Sequence, residues 1–338
     1  MPQETEKSKP AGAVYSHGKF RNIQKTQVIS AKKLRRMAES FLTEKSRHSF
    51  PKIEMPIKKI GTADIVEAAN NTMWRLCHST LLLKVSNQVF LTDPVFCDRA
   101  SPSQKFGPKR FHPNPINIDE LPAIDGVLLS HDHYDHLDKA AILKLSNKVT
   151  RFYTPLKLGD LLMHWGVPES KIEQLDWWES IYAGNIKLTC TPAQHYSGRG
   201  IFDSQKRLWS SWAVETPDVN LFFSGDSGYF DGFKEIGERL GPFDITFIET
   251  GAYNKAWQDI HMLPEDSIQA HLDLKGCHFY PIHNATFDLA FHAWFDPFRR
   301  ITTLADENHV KLVTPMIGQA ISLMAPKADN LWWQELKV

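Results

Sequence analysis

The chain has 338 residues, 42% of them hydrophobic and 23% charged, with 39 lysines and arginines against 39 aspartates and glutamates. That is ordinary for a globular protein with one large core or two modest ones, and a net charge of zero removes any global attraction to nucleic acid. Cys77, Cys97, Cys190 and Cys277 are widely spaced with no C-x-x-C pair, which points to reduced thiols in a cytoplasmic protein rather than a disulfide framework, and no apolar run approaches the roughly 20 residues that span a bilayer.

In chain order, residues 1–20 are polar, carry Pro, Gly and Lys, and lack the apolar stretch of a signal peptide, so they are expected to be disordered. Residues 31–46 read as a helix. Leu34, Met37, Phe41 and Leu42 form an apolar stripe, and Lys32, Lys33, Arg35 and Arg36 crowd its start. Such a helix either docks on the core with a solvated basic face or lies on an anionic membrane surface, which leaves peripheral membrane contact open. A linker with Pro51 and Pro56 follows. Residues 21–58 are thus a helical extension and linker, and one larger domain runs over 59–338.

Met73 to Cys77, Thr80 to Val85 and Val89 to Thr92 predict an antiparallel meander. Strands then alternate with helices. A strand at Gly126 to Ser130 precedes helices at Lys139 to Leu145 and Pro155 to Trp165. A strand at Ile186 to Thr191 precedes a strand pair at Trp209 to Glu215 and Asn220 to Ser224. A helix at Phe230 to Leu240, a strand at Ile245 to Glu249 and a helix at Pro264 to Leu272 follow. The last elements are a strand at His278 to Ile282, a proline-containing helix at Leu289 to Leu304 and a strand at Val310 to Val313. The mixture suits two packed sheets with helices outside, a four-layer αββα sandwich of the α/β class.

The densest chemistry is His131-Asp132-His133-Tyr134-Asp135-His136, which follows the apolar run ending at Ser130. Imidazole and carboxylate are favoured ligands of zinc and similar divalent ions. His131 and His133 can share a face only on an extended segment, and Asp135 and His136 must then point elsewhere, so one segment feeds two metal positions. His195, Asp226 and His283 each stand just past a predicted strand, Asp226 between Gly225 and Gly228. Taken singly, each also reads as a loop histidine or a turn former. Beside the first motif they read as ligands gathered at one rim of a sheet.

The order His-x-His-x-Asp-His, lone His, Gly-Asp, last His resembles the metallo-β-lactamase superfamily. The resemblance implies that His131, His133 and His195 hold one metal and Asp135, His136 and His283 the other, with Asp226 bridging. Zinc is favoured, with iron or manganese compatible. A narrower resemblance, from about residue 60 onward, is to the N-acylphosphatidylethanolamine-hydrolysing phospholipase D family and its bacterial relatives. It rests on Leu91 to Phe96, Arg99 to Gln104, Gly107 to Phe111, Leu121 to Asp125, Leu175 to Glu179, Thr191 to Gly200 and Leu208 to Trp212. Cys77 departs from it, standing where the family has Gly before His78. So do Asn284 and Ala285, where Trp and Gly are expected after His283.

Residues 98–114 carry Arg99, Lys105, Lys109, Arg110 and Phe111. This is either a solvated basic loop or a wall of the site that meets a phosphate, with Arg99, Lys109 and Arg110 as substrate contacts. His261 is expected near the substrate phosphate, by the resemblance. His78 and Asp93 are expected beneath the site, orienting ligands rather than binding metal. Tyr196, Tyr253 and Trp257 either line the pocket or pack in the core, with Tyr196 as the substrate contact.

The reading is a dinuclear-metal hydrolase of phosphodiesters. The narrower resemblance implies a phospholipase D-type cut that releases an N-acylethanolamine from a phospholipid. Asp135 would orient the nucleophile, and His261 or metal-bound water would protonate the leaving group. A lactonase or sugar-phosphate hydrolase of the same fold is the first rival. A one-metal iron oxygenase would leave Asp135 and His136 idle, and a nuclease is disfavoured by the neutral charge. A non-catalytic metal-binding interaction protein would be expected to lose ligands. Oligomeric state, a homodimer included, is left open.

Overall fold

The structure, a computed structural model, describes residues 11–26, 45–200, 202–327 and 331–336. The helix expected over 31–46 falls almost wholly outside the described residues. The described residues open with a hairpin of β1 (Val14–Ser16) and β2 (Lys19–Arg21), paired antiparallel. This hairpin falls within the stretch expected to be disordered. His17 and Gly18 both take positive φ, as a tight hairpin turn requires, and Phe20 is buried in the central core.

A short helix, α1 (Thr62–Val66), precedes the first sheet. The meander is β3 (Thr72–Arg75), β4 (Leu81–Val85) and β5 (Gln88–Thr92), antiparallel as expected. It continues in parallel through β6 (Ile124–Leu128), β7 (Val149–Pro155) and β8 (Ile172–Leu175), with α2 (Lys139–Leu145) and α3 (Leu158–Trp165) in the crossovers. Pro155 ends a strand rather than starting a helix. The helix waits until Leu158, after a left-handed turn at Lys157.

The second sheet begins with antiparallel β9 (Ser180–Ala183), β10 (Ile186–Thr191), β11 (Ser211–Glu215) and β12 (Asn220–Phe223). It turns parallel through β13 (Phe243–Glu249), β14 (Gly276–Ile282) and β15 (Lys311–Leu312). Between these lie α4 (Gly232–Arg239), α5 (Pro264–Asp273) and α6 (Asp296–Glu307). The helix expected from Leu289 starts only at Asp296, which puts Pro297 in the first turn, where its missing N–H costs nothing. Finally β16 (Ala320–Ser322) returns to pair with β3.

Alternation along the strands builds four layers. Leu81, Leu83 and Val85 of β4 and Leu221 and Phe223 of β12 face the core between the sheets. Leu82 faces outward to Ile142 and Leu145 of α2 and Leu158 and Leu162 of α3. Phe222 faces outward to Phe233, Ile236, Ile268 and Ile301 of the other helices. The expected αββα sandwich is the observed fold. Among the described residues no helix is long and apolar enough to cross a membrane, and all four cysteines are free thiols.

Candidate metal centre

Parallel strands bring their C-terminal ends to one rim, and the ligand-type residues follow those ends. Asp93 follows β5, the His131–His136 loop follows β6, Asp226 follows β12 and His283 follows β14, while Glu249 is the last residue of β13. His195 comes in past the end of β10. Gly225 has φ +56, and a Cβ there would sit 2.5 Å from Ser130 Cβ, so only glycine turns the chain between β12 and Asp226.

His131 Nε2 lies 3.0 Å from His133 Nδ1, which is 3.2 Å from His195 Nε2. Asp226 Oδ2 stands 3.7 Å from both Nε2 atoms. Across Asp226 is a second group. His136 Nε2 is 3.0 Å from Asp226 Oδ1, and His283 Nε2 is 3.1 Å from Asp226 Oδ2 and 3.2 Å from Asp135 Oδ2. His78 Nε2 also reaches Asp135 Oδ2, at 3.2 Å. Ligand-type atoms of these residues fall into candidate metal-holding groups. Asp226 faces both groups.

The hydrogen bonds on the outer edges decide which nitrogens are free. His136 Nδ1 donates to Asp93 Oδ2 at 2.7 Å, and His195 Nδ1 donates to the Ile260 carbonyl at 2.9 Å. Ser130 Oγ gives its own proton to Asp93 Oδ2 at 2.5 Å, so it accepts from His131 Nδ1 at 2.9 Å. With Nδ1 carrying the proton, each of these three imidazoles aims an Nε2 lone pair inward, the arrangement that prepares a metal ligand.

These residues fit divalent ions. Four nitrogens or oxygens held about 2.0–2.1 Å from a tetrahedral ion lie roughly 3.3 Å apart, close to the spacings here. His136 Nε2 and Asp226 Oδ1 are fully buried and make no hydrogen bond, though only 3.0 Å separates them. Burial depresses His131 and His195 well below the usual imidazole range and His133 below it, so this trio stays neutral. In the second group, Asp226 and Asp135 outweigh burial and raise His136 well above its usual value, and Asp226 is the main partner that raises His283 to about 10. The buried carboxylates thus demand positive charge at this spot.

The surroundings brace the ligands. Asp132 turns away from the centre, accepting from Arg207 Nε at 2.5 Å and Gly198 N at 2.7 Å. Arg199 Nη1 holds the Asp132 and Leu137 carbonyls at 2.7 and 2.8 Å while its guanidinium stacks on Tyr134. Trp212 Nε1 donates across the sandwich to the Leu129 carbonyl, and Trp209 Nε1 to that of Ala193. Asn22, just past the hairpin, clasps the His195 backbone, with Nδ2 donating to its carbonyl at 2.8 Å and Oδ1 accepting from its N–H at 3.1 Å.

The two departures from the family pattern have structural partners. His283 and Ala285 both hold positive φ, at 63° and 57°. Buried Arg75 fixes this turn by donating to Asn284 Oδ1 at 2.9 Å and to the Asn284 carbonyl at 2.5 Å. Cys77 is buried, with its sulfur 3.5 Å from Arg110 Nη2.

The expected substrate contacts separate. Arg110 is buried, and its donors go to the Cys97 and Val95 carbonyls, Cys77 and Asn114. Its loop folds under and pairs Arg110 with Phe287. Arg99 clamps its own loop, donating to the Gly107 carbonyl at 2.5 Å. Lys109 is exposed. Tyr196 packs its ring against His133 and His195 at 4.6 and 5.0 Å, beside the centre. Tyr253 is buried and donates to Asp296, so it belongs to packing. His261 does reach the centre, its ring 5.1 Å from that of His195 and 5.4 Å from that of His283. Asp93 meets His136 Nδ1 at 2.7 Å and His78 meets Asp135 Oδ2 at 3.2 Å, both at the edge of the centre.

Glu249 is the site residue that sequence reasoning missed. It is wholly buried, bonds His261 Nδ1 through Oε1, and accepts from Ser227 N through Oε2 at 2.7 Å. The available cue was a carboxylate ending an apolar strand.

A family model described as a Beta-lactamase superfamily domain matches residues 88–284, more than half of the chain. With the fold above, the chain belongs to the metallo-β-lactamase superfamily and is a metal-dependent hydrolase of it. It is 42% identical over 261 residues to the uncharacterized protein Rv0906 of Mycobacterium tuberculosis, covering 76% of this chain and 70% of that one. It is 34% identical over 265 residues to N-acyl-phosphatidylethanolamine-hydrolyzing phospholipase D 1 of Caenorhabditis elegans, covering 75% and 74%. Among solved structures, the isothiocyanate hydrolase from Delia radicum gut bacteria aligns with a TM-score of 0.59 at 19% identity, over 74% of this chain and 98% of that one, a likeness of fold alone.

Proposed function

We infer that the chain is a dinuclear metal-dependent phosphodiesterase whose substrate is an N-acylphosphatidylethanolamine. The cut is of the phospholipase D type and yields an N-acylethanolamine and phosphatidic acid. The observation that carries the metal chemistry is Asp226, whose two carboxylate oxygens meet the His131–His195 side and the His136–His283 side at once. His131, His133 and His195 would hold one ion, Asp135, His136 and His283 the other, and Asp226 both. Bound there, two divalent ions, zinc by ligand preference with iron or manganese compatible, would supply Lewis-acid polarisation of the phosphoryl oxygens and an activated water.

The chain's own residues do the rest. Asp135 is partly exposed at the rim, where its carboxylate orients the attacking water. His261 has an open ring edge, through which it would take the proton released by the attacking water and give it to the departing alkoxide. Tyr196 flanks the entry beside His133. We assign the catalytic unit to residues 59–338 together with the hairpin at 14–21. The lipid reading is supported by the worm relative and by a cleft of about 670 Å³ that combines Lys109 with Phe50 and Phe111. That cleft shares Phe111 and Asp288 with a smaller cavity reaching His283. Such a surface suits a cytoplasmic enzyme in peripheral contact with a membrane.

The test offers one metal-loaded preparation three substrates: an N-acylphosphatidylethanolamine in micelles, a soluble phosphodiester and a lactone. Release of an N-acylethanolamine is expected. Hydrolysis of the lactone alone would assign the site to a lactonase, and hydrolysis of none, with less than about one ion per chain, would favour a non-catalytic protein.

A further inference from the structure

Glu249 is buried at the floor of the centre, yet it belongs to neither ligand group of the proposed mechanism. Its two oxygens face two different donors. Oε2 accepts from Ser227 N at 2.7 Å, one residue past Asp226. Oε1 accepts from His261 Nδ1 and stands 3.7 Å from His283 Nδ1, too far for a hydrogen bond. The backbone of Glu249 is fixed too, by Ser224 Oγ to its N–H at 2.9 Å and by Ser267 Oγ to its carbonyl at 2.8 Å. A carboxylate held this firmly cannot follow a ring that turns, so the ring must follow it.

His261 itself sits on a loop, where nothing in regular secondary structure sets its orientation. Its side chain is 16% exposed. Because Nδ1 is turned into a buried carboxylate, the open edge is the one that carries Nε2. We propose that Glu249 is a positioning residue for the hydrolytic reaction: it fixes the ring and the tautomer of His261, with the proton on Nδ1, so that the Nε2 lone pair can take the proton that the attacking water loses and return it to the departing alkoxide.

A carboxylate can accept from both donors, but an amide cannot. In Glu249→Gln the amide oxygen can serve Ser227 N–H or His261 Nδ1–H, and the NH2 group then opposes the other. A backbone N–H cannot move its proton, whereas an imidazole can. The amide oxygen therefore goes to Ser227, the NH2 donates to Nδ1, and the neutral His261 carries its proton on Nε2 instead. Glu249→Gln thus becomes a tautomer switch with little change in volume.

The proposal rests on the phosphodiesterase reading for its kinetic arm only. In the first arm, nitrogen-15 NMR of histidine-labelled, metal-free full-length protein assigns the His261 signals by their loss in His261→Ala. At a pH high enough for the ring to be neutral, the wild type is expected to show the Nδ1–H tautomer and Glu249→Gln the Nε2–H tautomer, with Glu249→Asp rescuing the wild-type form in part. The same tautomer in wild type and Glu249→Gln would overturn the proposal, whatever the substrate proves to be. In the second arm, turnover of the best phosphodiester is compared at matched metal content. Glu249→Gln is expected to lower kcat about 10- to 100-fold with KM nearly unchanged, and to add nothing further in a His261→Ala background. An equal loss with and without His261 would mean that Glu249 acts through the metals or the fold. If no phosphodiester is turned over by the wild type, the functional reading fails while the tautomer measurement still decides the role of Glu249.

Discussion

Asp93 Oδ2 and His136 Nδ1 meet at 2.7 Å, and the same carboxylate accepts from the backbone and hydroxyl of Ser130, at 2.7 and 2.5 Å. One buried aspartate therefore orients His136 directly and His131 through Ser130, one candidate ligand on each side of Asp226. Asp93→Asn keeps the shape but removes the charge and cannot satisfy all three donors. The expected outcome is a 10- to 100-fold loss of metal affinity, read by competition with a chromophoric chelator, with the fold retained. Unchanged affinity would show that these ligands do not need their outer partners.

Asp226 is the strongest single test of a shared centre. Asp226→Ala and His133→Ala should abolish phosphodiesterase activity while leaving circular dichroism close to wild type. Elemental analysis should show Asp226→Ala weakening both ions and His133→Ala chiefly one. Wild-type turnover by either variant at matched metal content would contradict the assignment. Chelation of the wild type should likewise abolish activity, and readdition of zinc, iron or manganese should identify the ion that restores it best.

Arg75 donates to five carbonyl-type oxygens: those of Cys77, His78 and Pro281, and both of Asn284. Truncating it strands buried acceptors around the left-handed turn at His283. Arg75→Ala should cost on the order of 3 kcal/mol or more in urea unfolding. Arg75→Lys should rescue little, since three ammonium donors cannot replace the planar fork.

Arg110 and Lys109 are neighbours with opposite expected phenotypes. Arg110→Ala should destabilise the protein by roughly 2–4 kcal/mol, because its buried partners lose their donor. Lys109→Ala should change stability by less than about 0.5 kcal/mol and should instead weaken binding to vesicles that carry anionic lipid. A stable Arg110→Ala protein with raised KM would mark Arg110 as a substrate contact instead.

His271 provides a pH signature away from the metals. Burial, with a smaller push from His278, holds its imidazole down to about 4, and Thr246 Oγ1 lies 2.7 Å from Nδ1. The unfolded chain takes the proton near pH 6.5 and the folded chain only near 4. This contribution to stability is therefore complete above pH 6.5 and is lost as the pH falls toward 4. The slope is at most about 1.4 kcal/mol per pH unit. His271→Asn should lack that part of the acid sensitivity in denaturant titrations at pH 7, 6 and 5.

The candidate ligands were legible because each follows an apolar strand, and strands of two sheets end at the same rim. Glu249 has that same placement after Phe243 to Ile248, but a lone carboxylate without a motif partner gives no reason to single it out. Arg110 illustrates the opposite case. Its residue type suits phosphate, yet only the fold decides whether a guanidinium faces solvent or the Cys97 and Val95 carbonyls. The hairpin at Val14–Arg21 was hidden by its polar residues, although His17-Gly18 carries a turn signal. β7 was missed because Pro155 reads equally as a helix starter and a strand end.

Asn22 has a consequence for how this protein can be cut. All seven proposed ligands lie inside residues 88–284, the stretch that matches the family model. A clone trimmed to that stretch would hold every ligand and still be incomplete. The backbone of His195 would lose the two partners it finds on Asn22, Asp135 would lose His78, and the turn after His283 would lose Arg75. Recognisable homology and the smallest piece able to keep its metals are therefore different lengths of chain, and an expression vector that drops the first 26 residues removes part of the centre's own scaffold.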